Sequence, residues 1–143
     1  MTQEDRQLLL KDLCARLPYG VKFKADNEEC IREIHYIRDE DVYIREYSNL
    51  PYWIDTIKPY FRPMSSMTKE ERNEYRKAFE KDFAILEDSI DAPIAYKYSD
   101  GMIVSDRVLF NEIDWLNKKM FDFRGLIPMG LALEAKEDMY KTE

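Results

Sequence analysis

Residues 21–47 read VKFKADNEECIREIHYIRDEDVYIREY, and their pattern sets the fold class. Val21, Phe23 and Ala25 alternate with Lys22 and Lys24, the two-residue period of a strand with one buried face. Asp26 and Asn27 suit a turn, because their short polar side chains bond to nearby backbone. Residues 29–37 are rich in β-branched and aromatic types and predict a second strand. Arg38 to Asp41 is a polar turn, and VYIREY at 42–47 is a third strand. On it Val42 and Ile44 share one face, while Tyr43, Arg45 and Tyr47 share the other. The expectation is a three-stranded antiparallel meander with one apolar face. Such a sheet needs a cover, and the N-terminal segment can provide it.

That segment begins with Thr2 and Asp5, which can cap and charge-stabilise a helix start. Leu9, Leu10, Leu13, Cys14 and Leu17 recur at helical spacing, predicting an amphipathic helix over 3–17. Pro18, Tyr19 and Gly20 end it. Downstream, Thr68 and Glu71 have the spacing of a capping box for a helix over 69–87, with Tyr75, Phe79, Phe83 and Leu86 inward. A third helix, capped by Ser105 or Asp106, runs to about residue 120 with Leu109, Ile113, Leu116 and Met120 inward. Gly125 breaks the chain after it. Ser99, Asp100 and Gly101 suit the turn of a short hairpin within 92–104. The class is α+β: the meander packed by an N-terminal helix, with two further amphipathic helices. Its 143 residues suit a single domain, 1–143, whose last eight residues should fray.

Between meander and second helix lies LPYWIDTIKPYFRP, residues 50–63. Its three prolines forbid a central strand or a long helix, so a short turn or strand at 53–58 and then a stiff extended path are expected.

Composition narrows the function classes. The formal charge is −7, spread along the chain, and no basic stripe suited to phosphates is visible. Direct nucleic-acid binding is therefore not expected. No apolar run approaches the length of a membrane span, and the charged N-terminus is unlike a signal peptide, so a cytoplasmic protein is expected. Cys14 and Cys30 make no disulfide framework and are expected to be reduced packing residues. His35 is the single histidine and reads as a strand side chain. The four glycines lack any phosphate-cradling spacing. No catalytic motif, metal set or cofactor site emerges.

Three stretches read together, LLLKDLCARLPYGVK at 8–22, IKPYFRPMSSMTKEE at 57–71 and DWLNKKMFDFRGLIPMGLALEA at 114–135, resemble a family of small uncharacterised proteins from gut Bacteroides and their phages or mobile elements. They cover somewhat over a third of the chain. The resemblance implies a cytoplasmic bacterial or phage-encoded protein and brings no activity, cofactor or catalytic residue with it.

The candidate binding residues are Tyr60, Phe61 and Arg62, held between Pro59 and Pro63, together with Trp115 and Arg124. A stiffened aromatic–arginine segment loses little entropy on docking. The competing reading places Tyr60 or Phe61 in a satellite core, Trp115 at a core edge and Arg124 on a carboxylate. The leading function is a non-enzymatic protein-interaction or accessory factor of a phage or mobile element, with a protein partner or a second copy of itself. It calls for an exposed apolar patch. The alternatives are a small carboxylate-dependent hydrolase or ligand-binding protein, which calls for a deep pocket of shifted acids, and an acidic nucleic-acid mimic.

Overall fold

The computed structural model describes residues 1–45, 50–79, 82–84, 95–97, 103–104 and 110–140, and it is α+β. Helix α1 spans Gln3–Arg16 and opens with a complete capping box, Thr2 and Asp5 each binding the other's backbone N–H. Its inward face is Leu9, Asp12, Leu13 and Arg16, an i, i+3, i+4, i+7 stripe. Leu10 and Leu17 pack only partly, and Cys14 is exposed. The chain then turns through Leu17–Tyr19 to Gly20, whose φ of 81° suits a residue without Cβ.

Strands β1 (Lys22–Ala25) and β2 (Arg32–Glu33) are antiparallel, but the expected second strand does not continue into the meander as one piece. It divides at Ile34 and His35. The Ile34 N–H donates to Val21 O at 2.9 Å and the next N–H, of His35, donates to Tyr43 O at 2.8 Å. Successive N–H groups of an extended chain point to opposite sides, so one segment serves two sheets. The meander is therefore β3 (Tyr36–Arg38), β4 (Asp41–Tyr43) and β5 (Tyr52–Trp53), with β1 outside it. Val42 and Ile44 are buried as their alternation predicts. Tyr47 lies outside the described residues.

The proline-rich segment is the main correction. After a turn at Ile54–Thr56, β6 (Ile57–Phe61) is an interior strand of a four-stranded sheet ordered β10, β6, β1, β2, where β10 is Leu133–Glu134. Pro59 lies opposite Phe23. The Asp26 N–H bonds to Thr56 O at 2.9 Å at one end of the ladder, so alternation makes the Phe23–Pro59 pair a non-hydrogen-bonded one. The absent N–H thus costs no bond to β1, and on the other side β10 pairs only from Tyr60 onward, in parallel. A proline is tolerated inside the sheet because its missing donor falls where no partner strand lies.

Helix α2 runs Lys69–Phe79 behind the expected Thr68–Glu71 capping box but stops well before residue 87. Residues 82–84, expected to be helical, are strand β7, which pairs with β8 (Ala95–Lys97), itself paired with β9 (Ile103–Val104). The two strands of the expected 92–104 hairpin are thus present; its turn and Leu86 lie outside the described residues. Helix α3 is Phe110–Lys118, and its expected start at 105–106 and Leu109 also lie outside them. Leu116 and Met120 are buried. No described helix is long and apolar enough to cross a membrane.

The core is one cluster around Leu9, Leu13, Val21, Phe23, Val42, Ile54, Ile57, Phe61 and Leu126, with a second around Met64, Tyr75, Leu116 and Phe121. Of the last eight residues, expected to fray, Met139 and Tyr140 are held against the sheet, and 141–143 lie outside the described residues. The Tyr140 hydroxyl receives the Lys22 N–H at 2.8 Å and donates to Tyr60 O at 2.8 Å, and Lys22 Nζ donates to Met139 O at 2.8 Å. Burial pushes the Tyr140 phenol well above its usual range, so it stays protonated and able to donate.

Candidate functional site

The residues singled out in sequence fall into two buried or half-buried groups. Phe61 is fully buried and Tyr60 nearly so, which removes both as surface anchors. Phe61 instead carries the guanidinium of Arg16 4.2 Å from its ring centre. Arg16 is 0% exposed and bonds Asp12, also 0% exposed, through Nε at 2.9 Å and Nη2 at 3.1 Å. Nη2 also donates to Phe121 O at 2.7 Å, and Arg124 makes a second ion pair to Asp12. The charge cluster thus ties α1 to the loop after α3. Burial pulls the Arg16 pKa down, against the pull of Asp12. Burial raises Asp122, although its carboxylate accepts the Leu126 and Ile127 N–H groups at 2.7 and 2.9 Å. Arg16 and Asp12 were missed in sequence because a charged pair four residues apart reads as a solvated helix edge.

Arg62 and Trp115 meet through Phe121. The Arg62 guanidinium lies 4.2 Å from the Phe121 ring centre, and Trp115 stacks on Phe121 at 5.9 Å. Arg62 grips Glu71 with two bonds of 2.7 and 2.6 Å, and the Trp115 indole N–H donates to Glu74 at 3.1 Å. Burial acts to raise the Glu71 pKa, but the bonds from Arg62 and Thr68 outweigh it and leave the group below its usual range. Both residues therefore fasten α2 to the sheet and α3. Beside them is an open depression of about 590 Å³, whose walls include Glu71, Lys119, Lys136, Glu137 and Tyr140, charges of both signs. Among the described residues no group of three or more His, Cys, Asp or Glu side chains could hold a metal ion.

The more open chemistry is on the meander. Tyr52, opposite Val42, turns inward against Phe23. Its neighbour Trp53, opposite Asp41, therefore lies on the other face, with Tyr43 two residues along β4 and Tyr36 opposite Tyr43. The Tyr36 and Tyr43 rings stack at 4.4 Å and within 5° of parallel. Tyr36 is 45% exposed and Trp53 49%. The His35 and Tyr36 rings meet near-perpendicular at 5.4 Å, and Arg45 holds His35 through Nε at 3.0 Å. Arg6, fixed on Asp55 by two 2.8 Å bonds, lies 5.6 Å from the Trp53 ring centre. Leu50, entering β5, is 75% exposed. The alternation over 42–47 predicts Tyr43 and Arg45 outward; the contributions of Tyr36 and Trp53 depend on strand pairings invisible in sequence.

Comparison with family models, with curated proteins and with solved structures gives no significant match.

Proposed function

We propose that the chain is a protein-interaction module whose docking surface is the outer face of the β3–β4–β5 sheet. The observation that carries this reading is the Tyr36–Tyr43 stack beside the half-exposed Trp53. Large aromatics offer contact area at little entropic cost, and stacking already restrains two of the three. Leu50 adds apolar surface at the margin. The resemblance to proteins of Bacteroides phages and mobile elements fits an accessory factor of such an element.

The test is site-specific photo-crosslinking in a Bacteroides host. A photoreactive residue at Arg38, on this face, should give one dominant protein adduct. The same probe at Glu70, on α2, should not. Equal and diffuse labelling from both positions overturns the reading.

A further inference from the structure

The register of β1 on β6 fixes which backbone groups should meet beyond the last paired residues. The Asp26 N–H bonds to Thr56 O, and Phe23 lies opposite Pro59, so alternation makes Lys22 and Tyr60 the next pair whose N–H and C=O groups face each other. The bond from the Lys22 N–H to Tyr60 O is relayed instead. The Tyr140 hydroxyl receives the Lys22 N–H at 2.8 Å, donates to Tyr60 O at 2.8 Å and lies 3.3 Å from Lys22 O. One side-chain oxygen thus stands in the place of a bond of the ladder. The two backbone groups it serves can pair with each other once the ring is gone, so departure of Tyr140 leaves neither of them unpaired.

The segment that carries Tyr140 begins where the chain leaves the sheet. Up to Ala135 the chain follows β6, and the Ala135 N–H bonds to Phe61 O at 2.7 Å. Residues 136–140 then reach β1, where Lys22 Nζ donates to Met139 O at 2.8 Å. They wall two depressions of about 590 Å³ each, one shared with Arg62, Glu71 and Lys119 and the other with Lys22, Arg32 and Glu33. Lys136, Glu137, Asp138 and Met139 line both, so the segment is the partition between them. Asp138 holds φ at 67°, a left-handed conformation that is unfavourable for a residue with a Cβ and is relieved when the segment lets go.

We propose that residues 136–140 are a releasable strap. When they leave, the Lys22 N–H bonds directly to Tyr60 O, the body of the domain stays folded, and the two depressions join into one groove. The device is separate from the outer face of the β3–β4–β5 sheet and stands or falls without it. The test compares the isotope-labelled full chain with a chain ending at Ala135 by NMR. Scalar coupling across a hydrogen bond, from the Lys22 amide nitrogen to the Tyr60 carbonyl carbon, reads the direct bond. It should be absent from the full chain and present in the shortened one, whose Lys22 amide should exchange no faster than in the parent. In Tyr140→Phe, where the ring still fills the place but the hydroxyl is gone, the coupling should be absent and Lys22 should exchange about tenfold faster or more. A shortened chain that is folded but lacks the coupling overturns the proposal. So does a shortened chain that does not fold, because a strap leaves a folded body behind. Equal Lys22 exchange in Tyr140→Phe and the parent overturns it as well, since the hydroxyl then holds nothing. Release in the intact chain is read with carboxypeptidase Y. Digestion should pass Tyr140 at a rate that urea below the unfolding transition changes by less than about twofold, as for a local opening. Digestion that halts before Tyr140, or whose rate climbs with urea as global unfolding does, overturns the strap.

Discussion

Arg16 lies one helical turn after Asp12, and the two side chains form an ion pair with no solvent exposure on either partner. Two buried charges are worth little net stability together, but one left alone is expensive. Asp12→Leu therefore strands both Arg16 and Arg124 and should destabilise the chain by about 3–5 kcal/mol in urea unfolding. The double variant Asp12→Leu with Arg16→Met should recover part of that loss. A double variant less stable than the single one would show that Arg16 contributes through packing on Phe61 rather than through its charge.

Tyr140 closes the C-terminal segment onto β1 and β6 with one hydroxyl. Tyr140→Phe leaves the Lys22 N–H and the Tyr60 carbonyl without that partner and should cost about 1–3 kcal/mol. Hydrogen exchange should locate the effect, with the Lys22 amide losing protection before the amides of α1. Unchanged protection at Lys22 would mean that the tail contributes little to the sheet.

The Arg62–Glu71 pair makes stability depend on pH with a definite sign. Glu71 has a folded pKa below its unfolded value of about 4.3, so its contribution is complete above that pH and disappears as pH falls through the folded value. Glu71→Gln should be less stable than the parent at pH 7, and the two melting temperatures should converge toward pH 3. Parallel curves over that range would contradict the assignment.

Cys14 and Cys30 are both exposed, against the usual preference of free cysteine for burial. A thiol-specific chromogenic reagent should titrate both in the native chain, without denaturant. If either reacted only after unfolding, its placement on the surface would be wrong.

On the outer face of the meander, Trp53→Ala should change global stability by less than about 1 kcal/mol, since the side chain is half exposed. Ile54→Ala, one residue on and fully buried, should cost about 2–5 kcal/mol. Denaturant melts of the two variants separate a surface role for Trp53 from a core role.

Much of the architecture could be read from local chemistry. Thr2 caps α1 as expected and the Thr68–Glu71 capping box forms as its spacing requires, because a helix start is satisfied by groups three residues apart. The alternation around Val42 and Ile44 also held, because side-chain direction in a strand is set by the backbone alone. Helix α2 fell short of residue 87, and 82–84 joined a strand pairing that periodicity does not report.

The candidate site shows where such reading stops. Tyr60 and Phe61 were placed correctly as a stiff extended segment, yet whether that segment was surface or sheet depended on β1 and β10 arriving on either side. The aromatic face needed three strands in register before Tyr36, Tyr43 and Trp53 became neighbours. Helix starts, strand faces and the α+β class follow from the sequence alone, because those preferences act over three or four residues. The interior place of Pro59, the burial of Arg16 with Asp12 and the outer aromatic face arise only on folding, because each depends on partners far along the chain whose approach no local period encodes.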